Sequence, residues 1–185
     1  DKPISQALPT KKSSSKATKP SAIEEAALIT LLDQGRYSDG VALARMMTER
    51  FPRDGFGWKV LGALLRSQGN SAAALIPMQK AVKLLPHDAQ AQTNLGLVLS
   101  DLNRLKEAVA CHRLALTIDP HFADAHNNLG ATFQLQGLSA EAEACYRKAV
   151  ALNANFAGAF NNLGVVLYDQ NRFADAEFAY LQALA

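Results

Sequence analysis

Residues 123–156 read ADAHNNLGATFQLQGLSAEAEACYRKAVALNANF, and the Leu129-Gly130 pair within them recurs at a spacing of 34 residues. The other pairs are Leu61-Gly62, Leu95-Gly96 and Leu163-Gly164. A fixed period of this length indicates a tandem array of one helical unit rather than a single globular core. Extending the register in both directions gives five units: 21–54, 55–88, 89–122, 123–156 and an incomplete 157–185. We number the positions of each unit from 1, so that the Leu is at position 7 and the Gly at position 8.

Each unit is predicted to fold as two helices joined by a turn. Position 15 is always Gly or Asn, the residue types that best tolerate the left-handed conformation ending a helix. Position 32 is Pro in the first three units, and Pro stops a helix. We therefore expect helix A over positions 2–14 and helix B over positions 18–31. Because a lone helix of about 13 residues is marginal in water, the units must be stabilised by stacking on their neighbours.

Small residues at two positions indicate close packing between helices. Gly at position 8 and Ala at position 20 leave no bulk between the helices that meet there. Unit 1 differs, because it has Leu28 at position 8 and Gly40 at position 20. We interpret this as an exchange of size between these two residues, which conserves volume. Pro77 lies inside helix B of unit 2 and predicts a kink there.

The 34-residue pattern resembles that of the tetratricopeptide repeat (TPR) family. Unit 2 carries it most fully, with Trp58, Leu61, Gly62, Ala74, Ala81 and Pro86. The alternative, a generic Ala-rich helical bundle, gives no reason for residues to repeat in register. The resemblance implies an all-α fold, a right-handed α-solenoid of five tandem helix-turn-helix units with the last one incomplete.

Residues 1–20 have a different composition from the array. They carry five Lys against one Asp, with three Pro and a Ser13-Ser14-Ser15 run. We predict a disordered linker or a cloning remnant. A tail that binds nucleic acid or membrane is the alternative, although the Lys residues are scattered and no aromatic residue accompanies them. The array then starts at Ser21 and Glu24, whose spacing is that of a capping box.

Charge disfavours nucleic acid and membrane as partners of the array. The whole chain carries a formal charge of +2, residues 1–20 contribute +4, and the array is therefore at −2. A near-neutral solenoid is poorly suited to phosphate backbones. No window approaches the roughly 20 apolar residues that a membrane span needs. We therefore predict no nucleic-acid binding and no membrane insertion.

The cysteines and histidines do not form a recognisable reactive or metal site. Cys111 and Cys145 both occupy position 23, and stacked helices put equivalent positions roughly 8–10 Å apart, beyond disulfide reach. We expect both to be reduced and the protein to be cytoplasmic. His87, His112, His121 and His126 accompany no HExxH or CxxC spacing. His112 takes position 24, where Tyr146 and Tyr180 stand in later units, which favours packing. We predict that this segment is not an enzyme and needs no cofactor.

In the TPR family, A helices line a concave groove through positions 2, 5, 6, 9, 12 and 13. The resemblance implies that polypeptide segments or partner proteins bind there. Positions 5 and 6 carry Asn94, Asn127, Asn128, Asn161 and Asn162. An amide offers two donors and an acceptor, so it can pair with a peptide backbone of any sequence. One hypothesis is therefore an asparagine ladder that holds extended polypeptide; the alternative is that these residues bond backbone between neighbouring helices.

Such a ladder is similar to that of O-linked N-acetylglucosamine transferases and SPINDLY-like proteins. The phrase Asn127-Asn128-Leu129-Gly130, followed by Ala142 and Tyr146-Arg147-Lys148-Ala149, carries this resemblance. It implies that the array recruits polypeptide substrates for a larger glycosyltransferase. A free-standing scaffold that assembles partner proteins is the alternative.

The remaining groove positions narrow the predicted ligand. They include Lys59, Arg66, Asp101, Asp124, Gln134, Tyr168 and Asp169. Lys59 and Arg66 are the only cations at these positions, and both belong to unit 2. A two-carboxylate clamp needs several cations on consecutive A helices, so acidic chaperone tails are disfavoured. Asp101, Asp124 and Asp169 either meet basic side chains of the ligand or are merely solvated.

The C-terminal end of the array lacks a predicted cap. Ala185 falls inside helix B of unit 5, and no polar capping helix follows it. Solenoids usually need such a helix for solubility. We therefore expect the natural protein to continue, and the isolated chain to self-associate through the open C-terminal end.

Overall fold

A computed structural model of the chain describes residues 19–184, which form ten α-helices and no strand. In chain order the helices are α1 (Ala22–Asp33), α2 (Tyr37–Arg50), α3 (Gly55–Ser67), α4 (Ser71–Leu84), α5 (Ala89–Asp101), α6 (Leu105–Ile118), α7 (Ala123–Leu135), α8 (Ser139–Leu152), α9 (Ala157–Asp169) and α10 (Phe173–Leu184). The predicted all-α array of helix pairs is confirmed. The predicted linker over residues 1–20 falls almost entirely outside the described residues.

The odd-numbered helices are the A helices, and the even-numbered ones are the B helices. Almost every helix begins and ends one residue earlier than predicted. Position 15 adopts the predicted left-handed conformation, with φ of +67° at Gly35 and +57° at Asn103. The B helices end two residues before position 32, and α8 does so at Leu152 although Ala154 replaces the proline. The proline is therefore not what ends helix B.

The helices stack in sequence order. Each A helix packs against the B helix of its own unit, and each B helix packs against the A helix of the next unit. The A helices also contact each other from α3 to α5, from α5 to α7 and from α7 to α9. The buried apolar residues form two clusters, one across units 1–3 and one from Val109 to Ala179. Each unit is thus stabilised by its neighbours, as the repeat pattern predicts.

Gly at position 8 makes room for the large side chain at position 24 of the same unit. A Cβ atom placed on Gly62 would lie 2.6 Å from Met78, and one placed on Gly130 would lie 2.8 Å from Tyr146. Gly96 faces His112 and Gly164 faces Tyr180 in the same way. Helix A can therefore approach helix B closely only because this position lacks a side chain.

Unit 1 exchanges the two sizes at positions 8 and 24. Leu28 stands at position 8 and Ala44 at position 24, and both are fully buried in the same cluster. The sequence analysis paired Leu28 with Gly40, and this pairing is wrong. The side chain nearest to Gly40 is that of Leu64 in the next unit, whose Cδ atoms would lie 3.0 Å from an added Cβ. Gly40 therefore serves the contact between units 1 and 2.

Local features at the helix ends agree with the sequence pattern. Ser21 and Glu24 form the predicted capping box at the start of α1. Asp54 and Asp88 cap α3 and α5 by accepting backbone N–H groups. Pro77 is buried inside α4, which is continuous across it; the kink remains a prediction. Among residues 19–184, no helix has the length and apolar character that crossing a membrane requires.

Candidate functional site

The face formed by the A helices contains a depression of about 480 Å³ between α1, α3 and α5. Its lining residues are Ile29, Leu32, Phe56, Lys59, Val60, Ala63, Arg66, Ser67, Met78, Gln90 and Asn94. All of them except Met78 occupy positions 2, 5, 6, 9, 12 or 13 of their units. The positions expected to form the groove therefore share one surface in units 1–3. The lining is mostly apolar, and Met78 is its one residue from a B helix, α4.

The predicted asparagines are only partly available to a ligand. Asn94, Asn128 and Asn162 are half-buried on α5, α7 and α9. The Asn162 side chain donates Nδ2–H to Oδ1 of Asn127 in the preceding unit, at 3.0 Å. This bond resembles the structural alternative, although it joins two side chains rather than a side chain and backbone. The side-chain amides of Asn94 and Asn128 make no hydrogen bond to another described residue.

Three of the predicted charged residues are engaged in ion pairs that connect α3 with α5 or with the Asp88 cap of α5. Lys59 Nζ lies 2.7 Å from Asp88 Oδ2, and Arg66 donates to both carboxylate oxygens of Asp101, at 2.8 and 3.3 Å. Asp101 also accepts a hydrogen bond from Ser71 Oγ at 2.7 Å. The prediction that Asp101 meets a basic ligand side chain is thus weakened, because its oxygens already have partners.

Asp88 is a groove-edge residue that the sequence analysis did not select. Burial acts to raise the pKa of its carboxyl, but the hydrogen bonds from Lys59 and from the Ala91 amide hold that pKa below its ordinary value. Asp88 therefore stays ionised while it caps α5 and neutralises Lys59. Its position directly before an A helix, like that of Asp54 before α3, was the signal that could have identified it.

The other predicted groove residues differ in their surroundings. Gln134 Oε1 accepts a hydrogen bond from the buried Tyr146 hydroxyl at 2.9 Å. Tyr168 is exposed, and its ring meets that of Phe173 edge-on with centroids 5.2 Å apart. Asp124, Asp169 and Asn161 are exposed. Gln134 therefore supports the fold, whereas the exposed residues remain free to contact a ligand.

A polar contact connects the A helices at each junction from α3 to α9. Arg66 pairs with Asp101 between α3 and α5, and Asn162 pairs with Asn127 between α9 and α7. Between α5 and α7, the hydroxyls of Ser100 and Thr132 lie 3.1 Å apart. The groove wall is thus a row of helices fixed to one another by hydrogen bonds.

Two of the four histidines, His112 and His126, make contacts within the fold. His112 is fully buried against Gly96, and neither ring nitrogen has a hydrogen-bond partner within the described residues. Burial lowers the pKa of His112 to about 4, so the ring is neutral at physiological pH. The prediction that His112 is a packing residue is confirmed. His126 Nε2 lies 3.1 Å from the Pro120 carbonyl oxygen, just as Trp58 Nε1 donates to the equivalent carbonyl of Pro52.

Cys111 and Cys145 are free thiols and half-buried. Burial raises the pKa of each thiol to about 11, so both are protonated and poorly nucleophilic. In the part of the chain that the structure describes, no group of three or more His, Cys, Asp or Glu residues could hold a metal ion.

The C-terminal end of the array exposes apolar side chains. Phe173, Leu181 and Leu184 of α10 are 55%, 57% and 84% exposed, and they border a depression of about 290 Å³. Glu177 lies among them at position 21 and has no ion-pair partner among residues 19–184. In unit 4 the equivalent residue, Glu143, is buried and accepts a hydrogen bond from Arg172 at 2.7 Å. Glu177 thus lacks, among residues 19–184, the arginine partner that Glu143 has at the junction between units 4 and 5.

Solved structures with the same fold share little sequence with this chain. PilF from Pseudomonas aeruginosa is 20% identical, the match covers 88% of this chain and 74% of PilF, and the TM-score is 0.79. TTC0263, a thermophilic TPR protein from Thermus thermophilus, is 21% identical over 88% of this chain and 89% of its own, with a TM-score of 0.78. YrrB, described as a TPR protein with an unusual peptide-binding site, is 16% identical over 92% and 87% respectively, with a TM-score of 0.67. At these identities the likeness concerns the fold alone.

Family comparisons agree with the repeat register. No curated protein sequence matches the chain significantly. Four family models described as TPR repeat or tetratricopeptide repeat match residues 26–89, 98–137, 123–156 and 156–185. Together these matches cover most of the chain. The match to residues 123–156 has the same bounds as unit 4, whereas the match to residues 98–137 spans parts of units 3 and 4. The chain therefore belongs to the tetratricopeptide repeat family.

Proposed function

We propose that the array is a protein-interaction module that binds an extended polypeptide segment in the groove of its A helices. The observation that carries this proposal is the depression between α1, α3 and α5, because the family's groove positions supply all but one of its lining residues. Concave, mostly apolar sites with a few polar groups are the usual form of a binding site. An array of stacked helices extends such a surface along its length.

In this proposal Asn94, Asn128 and Asn162 contact the main chain of the ligand. The amides of Asn94 and Asn128 have no partner among the described residues, and the bond from Asn162 to Asn127 still leaves Asn162 Oδ1 free to accept. Neighbouring helices lie about 8–10 Å apart, and an extended chain advances about 3.3 Å per residue. Each asparagine would therefore meet roughly every third residue of the ligand. Main-chain contacts of this kind impose little sequence preference.

The test compares two triple variants in binding of peptides of about twelve residues, a length that spans the five A helices. Replacing Asn94, Asn128 and Asn162 by Ala should abolish binding. The control replaces three exposed amides outside the groove, Gln79, Asn155 and Gln182, by Ala and should bind like the parent chain. The Asn triple should cost only about 0.5–1.5 kcal/mol of stability, from the single lost hydrogen bond. A large loss of stability with binding intact would instead show that the asparagines are structural.

We further propose that this array recruits polypeptide substrates for a larger protein similar to O-linked N-acetylglucosamine transferases. The support is the succession of Asn residues at positions 5 and 6 of units 3–5. A scaffold that assembles partner proteins would use the same groove without an attached catalytic domain. The coding sequence beyond Ala185 distinguishes the two, because only the transferase hypothesis requires a nucleotide-sugar-binding α/β domain. A stop codon after one or two capping helices would favour the scaffold.

Self-association of the chain through its C-terminal face is also part of the proposal. The exposed Phe173, Leu181 and Leu184 support it, because contiguous apolar surface is commonly buried by association. Sedimentation over a range of concentrations should show a species larger than a monomer that Leu181→Asp removes. A chain that stays monomeric at high concentration contradicts this part of the proposal and leaves the groove unaffected.

A further inference from the structure

We propose that the depression between α1, α3 and α5 is an anchor site for one bulky, uncharged apolar side chain of the bound polypeptide. This inference rests on the proposed function and adds the class of ligand that the groove selects. It concerns Ile29, Leu32, Phe56, Val60 and Ala63, which occupy expected groove positions but were not among the residues selected as ligand contacts. We call these five residues the anchor floor.

The anchor floor is apolar and open to solvent. Ile29 is 45% exposed on α1, whereas Val60 is 6% exposed, and Met78, which also lines the depression, is fully buried. The volume of about 480 Å³ is in the range of sites that hold a compact organic group. An aliphatic or aromatic side chain entering here would cover Ile29 and remove apolar surface from water.

The charges around the depression argue against an acidic ligand. Lys59 and Arg66 are its only lining cations, and both lie within 2.8 Å of a carboxylate of this chain. A ligand carboxylate would have to displace Asp88 or Asp101, and Asp88 also caps α5. A neutral side chain meets no such competition. The two ion pairs therefore select against acidic segments, and they also connect α3 with the start and the end of α5.

The polar rim of the depression connects the anchor to the asparagines. Ser67 and Gln90 are exposed at its edge, and Asn94 lines it on α5. These groups can bond the ligand main chain on either side of the anchored residue. Since the asparagines alone impose little sequence preference, the anchor site supplies the selectivity of the groove for particular ligand sequences. It fixes which residue of the ligand lies at unit 2 and hence the register of the remainder along α7 and α9.

Selection from a displayed library of random peptides of about twelve residues tests this inference. We expect the selected peptides to share Leu, Ile, Met, Phe or Trp at one position. Replacing that residue by Asp should weaken binding by about tenfold or more, as expected for a central anchor. Ile29→Glu should weaken binding of the parent peptide to a similar extent, and the milder Ile29→Ala should weaken it severalfold. The matched control is Ile76→Glu, an exposed Ile in the middle of α4 outside the groove, which should leave binding unchanged.

The outcomes separate this inference from the proposed function. If the selected peptides lose binding in the Asn triple variant, but show no apolar preference and tolerate Ile29→Glu within about twofold, the anchor is wrong and the groove remains. If neither the Asn triple nor the Ile29 variants affect binding, the peptides bind elsewhere and both proposals fail. Thermal melting of the Ile29 variants confirms that any loss of binding is not a loss of fold.

Discussion

The pairing of positions 8 and 24 predicts that a size exchange can be transplanted from unit 1 to unit 4. Gly130→Leu should be destabilising, because even a Cβ at Gly130 would lie 2.8 Å from the Tyr146 ring. Overpacking costs about 1–3 kcal/mol or more, partly offset by about 1 kcal/mol of helix propensity. Tyr146→Ala should cost about 3–5 kcal/mol, since the ring is fully buried. It also removes the hydrogen bond to Gln134.

The double variant Gly130→Leu with Tyr146→Ala recreates the Leu28 and Ala44 pair of unit 1. We expect the double variant to lose less stability than the two single variants together, by about 2 kcal/mol or more, because Leu fills the space left by the ring. Recovery should be partial, since the carbonyl oxygen of Ala142 lies 3.1 Å from the added Cβ and belongs to the backbone.

Urea unfolding followed by far-ultraviolet circular dichroism gives the free energies for this comparison. The control combines Gly130→Leu with Tyr180→Ala, because Tyr180 faces Gly164 in a different unit. The changes that these two substitutions cause in the free energy of unfolding should be additive within about 0.5 kcal/mol. Equal non-additivity in both pairs, or none in either, would refute a specific contact between positions 8 and 24.

Three further predictions concern single residues. His112→Met should stabilise the protein by about 1–3 kcal/mol at neutral pH, because it removes a buried polar ring without partners and restores the residue type of Met78. Because the folded pKa of His112 is about 4 and its ordinary value is 6.5, the unfolded chain binds the proton more readily, so stability should fall as pH drops from 6.5 towards 4. The full loss is about 3 kcal/mol, and urea titrations at several pH values should show that His112→Met removes it. Gly40→Leu should cost about 1–3 kcal/mol by collision with the fully buried Leu64, and an unchanged melting temperature would contradict that contact. Gly137→Ala should cost about 1–2 kcal/mol, since its φ of +75° strains any side chain, while Gln136→Ala should have little effect on unfolding in urea.

Most of the fold could be predicted from the repeat period, because the repeated residues reflect local requirements of the backbone. Gly35 and Asn103 both need left-handed backbone, and that need places each helix end to within one residue. Proline at position 32 was less informative about where helix B ends. The B helix ends before it is reached, as α8 shows without a proline.

Periodicity could not show which buried positions touch. Gly40 and Leu28 both depart from the pattern, but Gly40 contacts the next unit and Leu28 shares its layer with Ala44. Comparing the units with one another would have revealed this. Position 24 is small only in the unit where position 8 is large.

The sequence predicted which positions line the groove, but not which of their side chains are free to contact a ligand. Arg66 and Asp101 were both candidates for ligand contact, and the structure pairs them with each other. Partners of this kind lie in the adjacent unit, and their meeting depends on how neighbouring A helices are offset. The same offset brings Asn162 to Asn127. The anchor floor occupies expected groove positions, but its residues were not selected as ligand contacts, because apolar residues on an amphipathic helix are ordinarily assigned to the core.

The most direct test of the groove is to map the contact of a selected peptide by amide chemical-shift changes in the labelled protein. We expect the shifted amides to belong to α1, α3, α5, α7 and α9, with the largest changes around Ile29, Val60, Asn94 and Asn128. The B helices should change little, apart from residues next to Met78. Changes concentrated on α2, α4, α6 and α8, with the A helices unperturbed, would show that polypeptide binds elsewhere and would contradict the central claim.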